Sequence, residues 1–313
     1  MKVVVLEPLG VEKSKFMEIA GKYLDEEVEL SCFDDRVTDT ETLIERSKDA
    51  NIVVLSNFHY GKEVMEKCPY LKQVCVAFTG VDHVDVDYCK ERGIIVCNCA
   101  GYSTAAVADL VFGGLITLMR NIIPCNETVR NSGTKDGLVG NELEGKKFGV
   151  VGTGAIGARV AKIAAAFGCE VYAFSRTQKP GLPVKYVDLD TLLSKCDIVS
   201  LHVPLSAATK HLINDKNIGR MKKNAILINM ARGPVVDYKA LAEALKKHAI
   251  AGAVVDVFEE EPPVSADHVL FSLENCICTP HVAFATKEAF VKRAHIVFDN
   301  IDHFLKGMPQ NVI

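Results

Sequence analysis

Phe148-Gly-Val-Val-Gly-Thr-Gly-Ala-Ile-Gly157 is the stretch that decides how this chain folds. An apolar run enters it, and Gly152, Gly154 and Gly157 follow at G-x-G-x-x-G spacing. Alone, that spacing is a weak signal. Its setting strengthens it: Ile156, Val160, Ile163 and Phe167 recur at helical intervals, and Gly168 stops the run. A strand, a tight turn and a helix are expected in succession. In such a unit Gly152 makes the turn, Gly154 lets backbone approach a phosphate, and Gly157 lets helix and strand pack closely. The N–H groups and dipole at the helix start, at Ala155 and Ile156, then attract a pyrophosphate.

Downstream, the next apolar run is 170–174, and an acidic residue that reads a ribose is expected at its end. Ser175 and Arg176 stand there instead. They can bind a 2′-phosphate by a hydrogen bond and a charge-assisted pair, so NADP is the expected cofactor. NAD is the alternative, if Arg176 is only a solvated strand end. Further apolar runs lie at 197–202, 225–230, 251–257 and 276–279, with helices at 191–195 and 239–248. Upstream, runs at 3–6, 28–32, 52–55, 74–78 and 94–97 alternate with helical stretches at 13–24, 41–49 and 85–92. Nearly continuous apolar strands alternating with helices indicate parallel α/β sheets covered on both faces.

A length of 313 residues suits two domains. Residues 103–120 form one apolar helix, with Ser103 or Thr104 as N-cap, suited to a domain junction. A looser stretch with four glycines covers 131–145, and a long helix closes the chain at 286–306. The net charge is −4 with signs interspersed, which points to neither nucleic acid nor a membrane surface. The opening MKVVVLEPLG reads as a strand rather than a signal peptide, and the apolar run 110–119 is too short for a bilayer. A cytoplasmic location is expected. The eleven cysteines include two C-x-C pairs but no C-x-x-C, so reduced thiols and no metal site are expected.

In open parallel sheets, ligands bind beyond the carboxyl ends of the strands. The second half of the chain places Arg232 after one such strand, Asp256 and then Glu259, Glu260 and Glu261 after the next, and His281 after the last. His202 shares this edge and is the rival base. Spacing does not choose among the three glutamates. Reduction of a 2-oxo acid wants these types: a His to give a proton to the carbonyl oxygen, a carboxylate to hold it, and an Arg to orient the substrate and stabilise developing charge.

The chain resembles the D-isomer-specific 2-hydroxyacid dehydrogenase family over nearly its whole length. The motifs are T-G-V-D-H-V-D (79–85), Y-S-T-A-A-V-A-D (102–109), V-G-T-G-A-I-G (151–157), L-H-V-P-L (201–205), N-M-A-R-G (229–233), D-V-F-E-E-E-P (256–262) and P-H-V-A-F (280–284). The resemblance implies two Rossmann-like doubly wound parallel-sheet domains, 1–100 with 285–313 and 101–284, with the active site in the cleft between them. It implies Arg232, Glu261 and His281 as the catalytic set. It implies Asp256 on the nicotinamide amide, His202, Val203 and Pro204 lining the cofactor, and Thr104, Thr209 and Ala231 beside it. Backbone at Thr79, Gly80 and Val81 would take the substrate carboxylate, with Asn57, Phe58, Phe78 and Phe284 around the substrate. Members are usually homodimers built through the cofactor domain.

Two positions narrow the pattern. Ser175-Arg176 replaces the usual Asp of NAD users, and Phe284 stands where many hydroxypyruvate and glyoxylate reductases carry Trp. Glu261 argues against formate oxidation, where Gln is used. The loops 57–61 and 77–83 contain no Lys or Arg, which disfavours a phosphorylated substrate. Hydroxypyruvate or glyoxylate is expected first, pyruvate in a D-lactate-type reaction second. A dinucleotide-sensing corepressor-like binding protein and a phosphite oxidase are the readings of other kinds.

Overall fold

A computed structural model describes all 313 residues. The chain divides into two compact units, Met1–Ser103 with Ala285–Ile313, and Thr104–Phe284. The first unit runs past 100, because Tyr102 packs on Phe78 and beneath the Arg293 guanidinium.

The first unit begins β1 (Lys2–Val5), α1 (Lys13–Ala20), β2 (Glu29–Cys32), α2 (Thr40–Ser47), β3 (Ile52–Leu55), α3 (Lys62–Met65), β4 (Gln73–Val76), α4 (Val86–Arg92) and β5 (Ile95–Asn98). All pairings are parallel, in the order β2-β1-β3-β4-β5. Every residue of β3 and β4 is buried, which is why β3, and β4 after Gln73, read as unbroken apolar runs. Chain order reverses between β1 and β3, so this sheet has a switch point at the ends of those strands.

The second unit carries α5 (Thr104–Met119), α6 (Ile122–Arg130), β6 (Lys147–Val151), α7 (Ala155–Ala166), β7 (Glu170–Phe174), β8 (Lys185–Tyr186), α8 (Leu189–Lys195), β9 (Ile198–Leu201), α9 (Asp215–Ile218), β10 (Ile226–Asn229), α10 (Tyr238–Lys246), β11 (Gly252–Val255) and β12 (Cys276–Cys278). Its seven strands are all parallel, in the order β12-β11-β10-β9-β6-β7-β8. Starting from β6, the first six strands follow the Rossmann order 3-2-1-4-5-6, with the switch between β6 and β9. Asp188 and Asp237 cap α8 and α10 by accepting the N–H groups of Thr191 and Ala240.

The last helix, α11 (Lys287–Leu305), belongs to the first unit. Its buried Asn300 donates to the carbonyl of Asn98, and the tail beyond it pairs antiparallel with β5 through Cys97 and Val312. That pairing covers an otherwise open sheet edge. No single helix is long and apolar enough to cross a membrane.

Candidate active site

The glycine turn sits at the switch point of the second sheet. Gly152 has φ +95°, and a side chain there would also lie 2.6 Å from the His202 carbonyl oxygen. A Cβ on Gly157 would fall 1.9 Å from the Gly152 carbonyl oxygen, so only glycine lets α7 start this close to β6. Gly154 differs: a Cβ there meets nothing within 4 Å. Space is open over the first turn of α7, whose N–H groups have no intrahelical partner. That is the cradle an anionic pyrophosphate needs.

The turn is tied to the end of β7. The N–H of Thr153 donates to the Ser175 hydroxyl at 3.4 Å, and its hydroxyl donates to the Thr177 carbonyl. Arg176 is exposed there and makes no ion pair within the protein.

At the far side of the same sheet edge lies a buried carboxylate. Asp256 is fully buried after β11. One of its oxygens accepts from the Thr279 hydroxyl (2.6 Å) and the Val282 N–H (2.8 Å), the other from the Ala283 N–H (2.9 Å). Burial raises its pKa against these donors. Asp256 thus organises the turn that carries His281. That residue has φ +51°, and its own N–H donates to the Asp256 carbonyl at 2.7 Å. A left-handed backbone is uncommon outside glycine and throws the side chain in a direction no extended residue could take.

The imidazole thrown out this way meets Glu261. His281 Nδ1 and Glu261 Oε1 are 2.5 Å apart, with the two side chains 20% and 17% exposed. The other oxygen of Glu261 accepts from the Phe258 N–H at 3.0 Å. Phe284 stands edge-on to the imidazole, ring centres 5.5 Å apart. Glu259 goes elsewhere, to His268 Nε2 at 3.1 Å, within a cluster of Phe258, Tyr238 and Phe271. Of Glu259 and Glu261, it is Glu261 that lies against His281.

Arg232 follows β10 on a turn built by buried Asn229. The Asn229 amide donates to the Arg232 carbonyl and the Tyr238 hydroxyl, and that hydroxyl donates to the Val257 carbonyl at 2.6 Å. Gly233 presses on the backbone of Phe258, where a Cβ would sit 2.0 Å from the carbonyl carbon. The Arg232 turn and the Glu261 loop are thereby packed backbone to backbone. Asn229 and Tyr238 carry this arrangement; Asn229 stands in the N-M-A-R-G motif, and nothing in the sequence around Tyr238 marks it for this role.

His202, the rival, is a neutral group. Burial pushes its pKa down to about 3, and its Nε2 lies 2.8 Å from the Ser200 hydroxyl. That shift favours the neutral imidazole.

In the first unit, the N–H groups of Thr79, Gly80 and Val81 find no acceptor within the protein, while the Asn98 amide donates to the Thr79 carbonyl at 2.7 Å. Buried Arg293 donates to the carbonyls of Leu9 (2.6 Å) and Ala77 (3.2 Å), holding the loops after β1 and β4. Asn57 follows β3, and Arg36 donates to its side-chain oxygen at 3.0 Å. The loops 57–61 and 77–83 contain no Lys or Arg, but the fold brings Arg36 to the first and Arg293 to the second. A cavity of about 670 Å³, lined in part by Lys146, Asp197 and Asn275, opens at the opposite, amino-terminal edge of the second sheet and includes none of Arg232, Glu261 and His281.

Residues 112–283 match the family model described as "D-isomer specific 2-hydroxyacid dehydrogenase, NAD binding domain". The chain belongs to this family. A glyoxylate reductase of Thermococcus litoralis is 41% identical over 285 residues, 87% of this chain and 86% of that one. A hydroxypyruvate reductase of Blautia hydrogenotrophica is 35% identical over 326 residues, 100% of this chain and 99% of that one. Among solved structures, an acyclic imino acid reductase in complex with NADPH and D-Arg has a TM-score of 0.91 at 32% identity, each chain covered completely. The dehydrogenase described here is thus an NAD(P)-dependent oxidoreductase of two parallel-sheet α/β domains, acting on 2-hydroxy or 2-oxo acids. The open space over Gly154, with the N–H groups at the start of α7, fits a nicotinamide dinucleotide.

Proposed function

We propose that this dehydrogenase reduces a small, unphosphorylated 2-oxo acid to the D-2-hydroxy acid, hydroxypyruvate or glyoxylate in preference to pyruvate. The observation that carries this reading is the 2.5 Å pair of His281 Nδ1 and Glu261 Oε1 on a left-handed turn. With Nδ1 on the carboxylate, Nε2 is the nitrogen that exchanges a proton with the substrate. The names of the reductases at 35% and 41% identity support the substrate class.

In this reading the N–H groups at Gly154, Ala155 and Ile156 hold the pyrophosphate beside Gly152 and Gly157. Thr104, His202, Val203, Pro204, Thr209 and Ala231 line the rest of the cofactor site, and Asp256 shapes it from beneath through the turn it holds. Ser175 and Arg176 take a 2′-phosphate, so NADP is preferred to NAD; the NADPH complex of the imino acid reductase supports a dinucleotide of that kind. The bound cofactor supplies the hydride that reaches C2 of the substrate. The N–H groups of Thr79, Gly80 and Val81 take the substrate carboxylate, and Asn57, Phe58, Phe78 and Phe284 shape the surroundings. Arg232 orients the carbonyl and stabilises the negative charge growing on its oxygen. His281 then gives that oxygen a proton, while Glu261 holds the ring in place. The exposed apolar Ile122, Ile123 and Val129 of α6 support a homodimer built through the cofactor unit.

The test follows the absorbance of NADPH and of NADH with glyoxylate, hydroxypyruvate, pyruvate and phenylpyruvate, and of NAD with phosphite. Turnover of hydroxypyruvate or glyoxylate with NADPH is expected to lead. No turnover of any 2-oxo acid, despite tight dinucleotide binding, would sink the reading.

A further inference from the structure

Glu7 is the one buried carboxylate of the first unit, 3% exposed at the end of β1, and none of the roles above uses it. Its two oxygens are both taken. One accepts the Ser56 N–H at 2.7 Å, the other the Arg36 Nη1 at 2.5 Å. The same Nη1 donates to Asn57 Oδ1 at 3.0 Å, and the Arg36 guanidinium lies over the Phe58 ring, 5.5 Å from its centre. A buried carboxylate thus grips both the backbone and, through Arg36, the side chain of the loop after β3.

The consequence lies in the chemistry of the amide. A guanidinium carries donors only, so it can face the oxygen of Asn57 and not the nitrogen. The Asn57 Nδ2 is thereby turned away from Arg36, and it has no acceptor within the protein. The half-buried amide is held as a donor. The charge of Arg36 is matched by Glu7, so the pair adds little net attraction for a phosphate.

We propose that Glu7 and Arg36 are positioning residues that fix the Asn57 amide as a donor, and that Asn57 selects 2-oxo acids bearing an oxygen acceptor on C3 over those bearing a methyl group. This rests on the reading that the 57–58 loop meets the substrate. A hydroxyl on C3 gives Nδ2 a partner as water leaves. A methyl takes the water away and gives nothing back, leaving the donor unpaired.

The test is the ratio of kcat/KM for hydroxypyruvate to that for pyruvate, with NADPH in excess. In Asn57→Ala the ratio is expected to fall about tenfold, the worth of one hydrogen bond to substrate. Arg36→Met should lower it in the same direction, chiefly through the KM for hydroxypyruvate, and Arg36→Lys, which still donates, should recover most of it. Arg36→Met leaves Glu7 buried without its cation and can cost the fold. Asn57→Ala removes no charge, and it keeps the proposal open to refutation. A ratio within twofold of the wild type in Asn57→Ala overturns the selectivity claim. A fall in Asn57→Ala with none in a folded Arg36→Met overturns the positioning claim. If the wild type reduces no 2-oxo acid, the functional reading fails first and takes this inference with it.

Discussion

The two parallel sheets furnish their carboxyl edges with different chemistry. The second sheet presents ionisable groups, each held by another side chain, a backbone N–H or a left-handed turn: His281 on Glu261, Glu261 on the Phe258 N–H, Asp256 under the His281 turn. The first presents backbone N–H groups at 79–81 and the Asn57 amide. The difference teaches how labour divides. Proton transfer and charge stabilisation need ionisable side chains at fixed places. Recognition of a carboxylate or hydroxyl needs only well-placed donors, which backbone supplies without titrating.

If that division is right, lesions in the second sheet's edge strike kcat and lesions in the first sheet's edge strike KM. The largest expected effect is at residue 281. His281→Asn suits the left-handed backbone better than alanine would. It should lower kcat about a thousandfold while leaving dinucleotide affinity near the wild-type value, as read by steady-state rates and fluorescence titration. Near-normal kcat would remove His281 from the chemistry and dissolve the contrast.

Arg176→Ala should raise the KM for NADPH about tenfold and leave that for NADH nearly unchanged, since one charge-assisted contact is at stake. Equal changes for both cofactors would mean that Arg176 does not read the ribose.

The smallest effect concerns His202. Its folded pKa, about 3, lies below the ordinary 6.5, so between those values the unfolded chain binds the extra proton. Stability from this group is full above pH 6.5 and is lost as pH falls toward 3. His202→Asn should flatten that part of the curve of denaturation midpoint against pH. An unchanged slope would show that the imidazole is not held neutral by burial.

Much of the second unit was legible because its strands are buried on both faces and its glycines stand where backbone touches backbone. Runs 52–55 and 170–174 coincide with β3 and β7, and most other strands differ from their apolar runs by one or two residues at an end. Among the elements that the sequence did not reveal, which include the four-residue α3 and α9, β8 and α6 left no such trace. β8 is two residues long with exposed or half-buried side chains, so no apolar run marks it. α6 has Pro124 in its first turn and buries none of its residues, so no apolar face repeats.

At the site, the residue types could be read but the partnerships could not. Three consecutive glutamates are equivalent by spacing; only the fold sends Glu259 to His268 and Glu261 to His281. Arg36 lies outside both loops read for cations, and the fold joins it to Asn57 across 21 positions. Buried Arg293 lies within the closing helix, where nothing local marks it as a buried cation. Long-range pairings of this kind depend on which strands become neighbours, and local composition does not carry that information.

The left-handed residue at 281 has a practical corollary for anyone moving this chemistry onto another scaffold. An imidazole grafted alone onto a strand end would point along the extended chain and miss its acid. The portable unit is the whole corner from Thr279 to Ala283 together with the carboxylate of Asp256 that pins it. A designer who copies three side chains and omits that corner would reproduce the inventory of the site without its aim.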